Sequence, residues 1–318
     1  MSIDLSLKNI WGSWFVFRKG KHSTSELQYF QYNLEKNLYT LFLDLNSEKY
    51  KHGGYRKFIV CDNKKREISV ADIRDRVVHR LIYDYLNKIY DKTFIYDAWS
   101  CRLKKGLMAA IERTQTFLRC YPNSYIWKCD VRKFFDSVDQ EILLGILDRK
   151  IRDKITINLI REIIRNFGSI KYEKIGMPIG NLTSQIFANI YLNELDRFVK
   201  HTLKPKEYLR YGDDFILLEN DAEKLNFFRV ETINFLKNEL KLTVNPKSDK
   251  IIKPSHTLKF LGINLLPAGR ILNKRSLKRA TQKLNHANIS SYSGLIKKHC
   301  DEEYQKYFDW VVLERLNL

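Results

Sequence analysis

Long apolar runs are missing from this chain. The longest, such as Tyr39–Leu45, fall far short of the roughly 20 residues that a membrane-spanning helix needs. No membrane span is expected. The N-terminal MSIDLSLKNIWGSW lacks a basic start followed by a long apolar stretch, so no signal peptide is expected either. Cysteine is sparse. Cys61, Cys101, Cys120, Cys129 and Cys300 are odd in number, scattered, and form no C-x-x-C pair. That spacing argues against a zinc site or a disulfide framework and reads as small core residues in a reducing, cytoplasmic setting. Internal repeats and low-complexity linkers are absent. Acidic residues are in deficit: 56 Lys and Arg face 37 Asp and Glu, a formal net charge of +19. An excess of that size calls for a polyanionic partner, either nucleic acid or an anionic surface.

What is present is enough to fold. The 318 residues are 44% hydrophobic and 13% aromatic, which excludes a disordered chain. They exceed what one hydrophobic core usually spans, so two or three subdomains around a shared cleft are expected. Residues 1–45 read as an aromatic-rich helical lead-in. Tyr55–Asp62 and Arg66–Val70 read as a hairpin with a basic Asn63-Lys64-Lys65 tip. Ser69 and Asp72 have the spacing of a capping box. Ile73, Val77, Leu81, Tyr85 and Ile89 then recur every four residues, one apolar face of a helix, with Arg74, Arg76 and Arg80 off that stripe. Residues 139–166 alternate charged and aliphatic residues at helical spacing. Gly176–Asn181 is a Gly/Pro loop before a long helix over Leu182–Val199. Ala222–Leu240 is again helical, Thr257–Leu265 reads as strand, and a small basic helical region follows from about 275.

The chemistry concentrates in acids. Tyr211-Gly212-Asp213-Asp214 lies between two apolar strands, Glu207–Arg210 and Phe215–Leu218, which puts adjacent carboxylates on a hairpin turn. Paired acids raise each other's pKa, and a protein keeps such a pair where a cation will sit. The same tetrapeptide is also an ordinary surface turn. The second acid lies upstream. Ser124–Cys129 is a short β-like run that ends at Asp130, far enough from Asp213 in sequence to occupy a neighbouring strand. Asp130 could also be a helix cap, although Asp136 and Asp139 are better placed for that role. Carboxylates on adjacent strands could hold two Mg²⁺ ions, which prefer a few carboxylates plus substrate phosphates to a full protein cage.

In order along the chain stand FIVCDNKKREISVADIRDRVVHRLI, YIWKCDVRKFFDSVD, GMPIGNLTSQIFANIYLNELD, RYGDDFILL, KLTVNPKSDKI and LKFLGINLL. These six blocks resemble the reverse transcriptases, from about Tyr55 to Leu266. The resemblance implies an α+β right-hand polymerase fold: fingers over 46–125, a palm with an antiparallel sheet over 126–266 (finger elements inserted near 150–180), and a small helical thumb over 267–318. It implies that Asp130 and Asp213 hold two Mg²⁺ ions, with Asp214 beside them and Val131 in the same metal site. Phe135 matches the aromatic gate under the sugar, where a 2′-hydroxyl would clash, which implies DNA synthesis; Phe134 and Phe135 also fit plain core. Arg66 and Arg74 match finger residues that meet the incoming triphosphate or the template. Lys64 and Lys65 fit that role or a solvated turn. Lys247 matches a lysine near the leaving pyrophosphate, a candidate general acid, or else a surface lysine. Phe260, Leu261 and Gly262 resemble the primer-gripping hairpin and would equally suit core packing.

One block departs from the family. Where most reverse transcriptases have Pro-Gln-Gly, this chain has Pro178-Ile179-Gly180. That glutamine hydrogen-bonds around the incoming nucleotide; Ile179 can neither donate nor accept, so pairing should be checked less strictly. The stretch from Gly180 to Gln185, two residues counted with Ile179 among the substrate contacts, resembles diversity-generating retroelement enzymes. The short chain, without an evident nuclease or maturase extension, agrees with that resemblance. It implies a bacterial or phage-encoded enzyme that takes dNTPs on an RNA/DNA primer-template. Such an enzyme copies a template RNA with errors at adenines and works with a small basic helical accessory protein. A retron- or defence-type enzyme ranks second, because no Val-Thr-Gly stands in the thumb region. A retired nucleic-acid-binding module ranks lower, because the acids and the gate are intact.

Overall fold

The computed structural model describes residues 2–61, 65–167, 174–254 and 256–316. Three helices open the chain: α1 (Leu7–Arg18), α2 (Ser25–Tyr32) and α3 (Leu34–Asn46). Ser6 and Thr24 cap the first two, their hydroxyls accepting from the backbone N–H of Asn9 and Leu27. Ile10, Trp14, Leu38 and Leu41 bury the inner faces, and α1 packs on α4 (Ile73–Tyr90). The expected stripe on α4 is observed: Ile73, Val77, Leu81 and Tyr85 are buried, and Ile89 packs against the same core. The capping box is not formed. Asp72 occupies the N-cap position without a side-chain bond, and Ser69 is committed to a strand.

That strand belongs to the hairpin of β1 (Tyr55–Cys61) and β2 (Lys65–Ala71), paired from Tyr55↔Ala71 to Cys61↔Lys65. Asn63 and Lys64 of the expected tip lie outside the described residues. After β3 (Ala98–Trp99) and α5 (Leu107–Cys120) come β4 (Tyr125–Asp130), the short α6 (Phe134–Ser137), α7 (Gln140–Asp148), α8 (Lys154–Arg165) and α9 (Leu182–Arg197). α9 runs on into a wider helical turn over Phe198–Leu203. β5 (Glu207–Tyr211), β6 (Asp214–Glu219), α10 (Ala222–Glu239) and β7 (Lys250–Ile252) complete the palm. Its sheet has the order β3-β5-β6-β4-β7, antiparallel except for the β3–β5 pair.

Alternation along the strands divides the interior in two. Phe215 and Leu217 of β6, with Trp127 and Cys129 of β4, face the main core, which includes α9 and α10. Ile216, Leu218 and Ile126 face a second core shared with α5 and a smaller sheet. That sheet contains β8 (Leu258–Phe260), β9 (Ile263–Leu266) and β10 (Gly269–Leu272), followed by α11 (Lys274–Gln282), α12 (Ile289–His299) and α13 (Glu302–Leu316). Two expected boundaries are therefore crossed. β10 pairs with β9 across residue 266, and β3, inside 46–125, is a strand of the palm sheet. Among the described residues no helix is long and apolar enough to cross a membrane.

Candidate active site

Tyr211 pairs with Asp214, so Gly212 and Asp213 form the two-residue turn between β5 and β6. Gly212 takes φ 62°, the sign that the favoured hairpin turns require at their first central residue. On the other side of β6, Asp130 pairs with Asp214, and the Val131 N–H donates to the Asp213 carbonyl at 3.3 Å. Asp130, Asp213 and Asp214 thus gather at one end of two neighbouring strands.

Asp130 is held by a segment more than a hundred residues away. Asn245 Nδ2 donates to both of its carboxylate oxygens, at 3.1 and 3.3 Å, and Asn245 N–H to its carbonyl at 2.9 Å. The Asp130 N–H donates to Ser248 Oγ at 3.1 Å. Asp249 anchors that segment by accepting from Trp127 Nε1–H and from Arg229; the Arg229 guanidinium holds the Asp249 carboxyl below its ordinary range. The turn itself is supported by Arg210, which is fully buried. Arg210 forms a two-pronged pair with buried Asp196, at 2.7 and 2.6 Å, and donates to the Gly212 carbonyl at 2.9 Å. Tyr208 also donates to Asp196, and Asn189 accepts from Arg210.

Two cavities open on the acids. The larger, about 770 Å³, holds Asp130, Asp213, Arg66, Ile179 and Lys247 in its walls. The smaller, about 270 Å³, holds Asp213, Asp214, Gln185 and Arg66. Phe134 and Phe135 stand between them and line both. Phe134 is buried, edge-on to Tyr191, and is the core member of the pair. Phe135 is half-buried and lines both cavities.

The loop before α9 ties the palm to the finger hairpin. Phe135 O accepts from Met177 N–H at 2.7 Å, and Ile179 O from Ser69 N–H at 2.8 Å. Asn181 donates to Ser69 O and accepts from Ala71 N–H. Gly180 is at φ 116°, and a Cβ there would lie 2.7 Å from Ile68 Cγ2. Gly180 therefore serves the close approach of loop and strand and lines neither cavity.

Arg74 is not brought to the site. Its guanidinium donates to Asp44 (2.7 Å) and to Lys51 O (3.2 Å) and lies over the Tyr50 ring, so α3 claims it from the first turn of α4. Val131 is buried and contributes backbone. Phe260 is buried; Leu261 (φ 50°) and Gly262 (φ 83°) form the two-residue β8–β9 turn, away from both cavities. Asn245, Arg210, Asn189 and Asn181 went unread in the sequence. All four lie within the quoted blocks, and their own signal there is polarity within otherwise apolar or loop stretches. Among the described residues no three His, Cys, Asp or Glu side chains converge into a metal cage. The available donors are carboxylate oxygens, hard ligands of the kind that suit Mg²⁺ rather than Zn²⁺.

A turn bearing two acids, beside a strand ending in a third, on a largely antiparallel palm sheet backed by helices, defines a polynucleotide polymerase palm. The chain belongs to the reverse transcriptase (RNA-dependent DNA polymerase) family, which it matches over residues 50–265. It is 23% identical over 297 residues to the group II intron-encoded protein LtrA of Lactococcus lactis subsp. cremoris, covering 71% of this chain and 49% of that protein. To the protein YkfC of Escherichia coli K12 it is 24% identical over 254 residues, 68% of this chain and 65% of the other. To an uncharacterized 91 kDa protein in the cob intron of Schizosaccharomyces pombe it is 28% identical over 172 residues, 52% and 21% of the two chains. The chain thus spans from about a fifth to about two thirds of these relatives' lengths. A solved telomerase from Candida albicans superposes with a TM-score of 0.53 at 12% identity, covering 86% of this chain and 57% of that one. That likeness is one of fold, the right-hand polymerase fold.

Proposed function

We propose that this chain is an RNA-directed DNA polymerase that copies a template RNA into cDNA with reduced fidelity, as a diversity-generating retroelement enzyme does. The observation that carries the polymerase reading is the meeting of Asp130, Asp213 and Asp214 at one strand end, under a cavity rimmed by cations. Asp130 and Asp213 would hold two Mg²⁺ ions, with Asp214 beside them. Bound there, the ions supply charge stabilisation to the attacking 3′ oxygen and the leaving pyrophosphate. Asn245 and Arg210 keep the acids in place. Arg66 offers planar donors to triphosphate oxygens, and Lys247, which lines the same cavity, would give a proton or a charge to the departing phosphates. Phe135, between the cavities, would crowd a 2′-hydroxyl.

The error-prone reading rests on Ile179. It sits in the wall of the larger cavity, where a glutamine would offer hydrogen bonds and isoleucine offers none. The Gly180–Gln185 stretch supports the same assignment, and with it a template RNA and a small basic helical accessory protein as partners. The likeness to the group II intron-encoded protein LtrA favours a second reading, a group II intron-type enzyme of ordinary fidelity. One assay separates them. On a primed RNA with dNTPs and Mg²⁺, extension is expected, and it should be lost in Asp213→Ala. Sequenced product should show errors concentrated at template adenines, and Ile179→Gln should reduce them. Extension surviving Asp213→Ala would sink the polymerase reading. An even error spectrum, unmoved by Ile179→Gln, would leave the intron-type reading.

A further inference from the structure

Charge changes sign toward the end of the chain. From residue 250 to residue 300 there are 11 Lys and Arg and no Asp or Glu. Residues 301–315 then hold five acids, Asp301, Glu302, Glu303, Asp309 and Glu314, against Lys306 and Arg315. The change falls at the start of α13. The inner face of this helix is covered. Phe308 and Val311 are buried in the second core, with Tyr304 and Val312 packed against it. The outer face is bare. Tyr307, Trp310 and Leu313 are 50%, 57% and 53% exposed, and Trp310 is the only exposed one of the five tryptophans. At three-residue spacing they share one side of the helix. An apolar stripe of that kind marks an interaction site. The acids around it repel phosphate, so nucleic acid is not what covers it.

We infer that α13 pairs antiparallel with α13 of a second copy of this chain, about a two-fold axis at Trp310. In that register the face is self-complementary, as an interface of this symmetry requires. Trp310 meets its own counterpart. Tyr307, three residues before it, comes level with Leu313, three residues after it. Lys306, four before, comes level with Glu314, four after. Among the described residues neither Lys306 nor Glu314 has an ion-pair partner within the chain. Glu303 lies one turn from Lys306, so each lysine stands between its own Glu303 and Glu314 of the second copy. A parallel pairing would set Lys306 against Lys306 and Glu314 against Glu314, which costs affinity. The antiparallel pair has an apolar centre and a charged rim, the usual anatomy of an interface. One helix face falls short of the roughly 1,600 Å² of a standard interface, so the pair should form in the micromolar range. The dimer would also bring two acid-free basic stretches, residues 250–300 of each copy, into one assembly for a shared polyanion.

The test is sedimentation equilibrium of the full chain after nuclease treatment. Loading runs from about 1 to about 100 μM, a range over which a micromolar pair passes from monomer to dimer. A dimer that grows with concentration is expected. Trp310→Glu should be monomeric throughout, since each dimer loses two central aromatic contacts; thermal melting checks its folding. Lys306→Glu, at an exposed position, should raise the dimer Kd by on the order of tenfold, because two ion pairs become two repulsions. Adding Glu314→Lys to Lys306→Glu should restore the affinity. The two positions lie about two turns apart on one helix, so within a single chain neither compensates the other. This charge exchange decides the matter alone if Trp310→Glu does not fold. A chain that stays monomeric at every concentration overturns the inference and leaves the stripe to a basic protein partner. A dimer that survives Trp310→Glu overturns it too, as does one that disappears with the nuclease. So does a double variant that pairs no better than Lys306→Glu.

Discussion

Arg210 offers a sharp test of how the acidic turn is held. It and Asp196 are both fully buried, and their two-pronged pair reaches the Gly212 carbonyl, one residue before Asp213. Arg210→Met leaves Asp196 buried with the Tyr208 hydroxyl as its remaining strong donor, and breaking a buried pair in this way costs about 3–5 kcal/mol. Folded proteins hold roughly 5–15 kcal/mol, so the variant should fold, with a lower urea midpoint. Arg210→Met combined with Asp196→Leu removes both charges, and most of the lost stability should return. Activity should not return, because the Gly212 carbonyl has lost its donor and the turn its tether. Misplacing reacting groups by about 1 Å can cost on the order of 100-fold in rate. Primer extension should therefore show a kcat reduced by that order in the double variant, with KM for dNTP little changed. A stable double variant that extends primers at the original rate would show that the pair serves packing alone and refute the positioning argument.

Three further outcomes are expected. Gly180→Ala should cost about 1–3 kcal/mol, since its φ is 116° and the new Cβ meets Ile68 and Ser69; a melting temperature equal to that of the original chain counts against the tight loop–strand approach. Phe135→Val should raise ribonucleotide use relative to dNTP by on the order of tenfold, read in competition assays; an unchanged preference removes Phe135 as the gate. His79, buried against His52 and Thr183, is pushed down to about 3, chiefly by burial and next by the His52 and Arg76 charges. In the unfolded chain it takes up a proton near 6.5, so between about 6.5 and 3 the unfolded state binds more protons and stability falls as the pH drops. Urea midpoints measured down the acid side should fall more steeply in the original chain than in His79→Gln; parallel slopes refute this account.

Much of the site could be read from residue order because its parts are local. Asp213 sits on a turn set by four residues, Asp130 ends a strand whose alternation is visible, and α4 carries its stripe at regular spacing. What escaped depends on distant partners. Nothing near Arg74 in sequence says that Asp44 and Tyr50 will take its side chain, so it reads as a substrate contact and is found bonded to Asp44 of α3. Nothing near Asp130 names Asn245 as its donor. β3 has two residues and β10 four, too few for a period to show, and so the palm and thumb boundaries drawn from sequence cut through paired strands. Ser69 followed by Asp72 has the capping spacing, but the 176–181 loop competes for the Ser69 backbone and wins with three hydrogen bonds' worth of partners on Ser69 and Ala71.

Several of the buried polar residues have one element in common. α9 is buried around most of its circumference, so it has no single apolar stripe to fix its rotation. Its polar residues do so instead. Asn181, at its start, is bonded to β2. Thr183 meets His79 of α4, Asn189 meets Ser100 and Arg210, and Asp196 meets Arg210 and Tyr208. Each of these groups would be costly if left unpaired, and a rotation of the helix would unpair all of them together. Hydrophobic burial alone would tolerate such a rotation at much lower cost. The polar contacts therefore set the distance between the Ile179 loop at one end of α9 and the Asp213 turn beside Asn189. On this argument, a change that turns α9 should alter base-pair checking and metal positioning together, even when it touches neither Ile179 nor an acid.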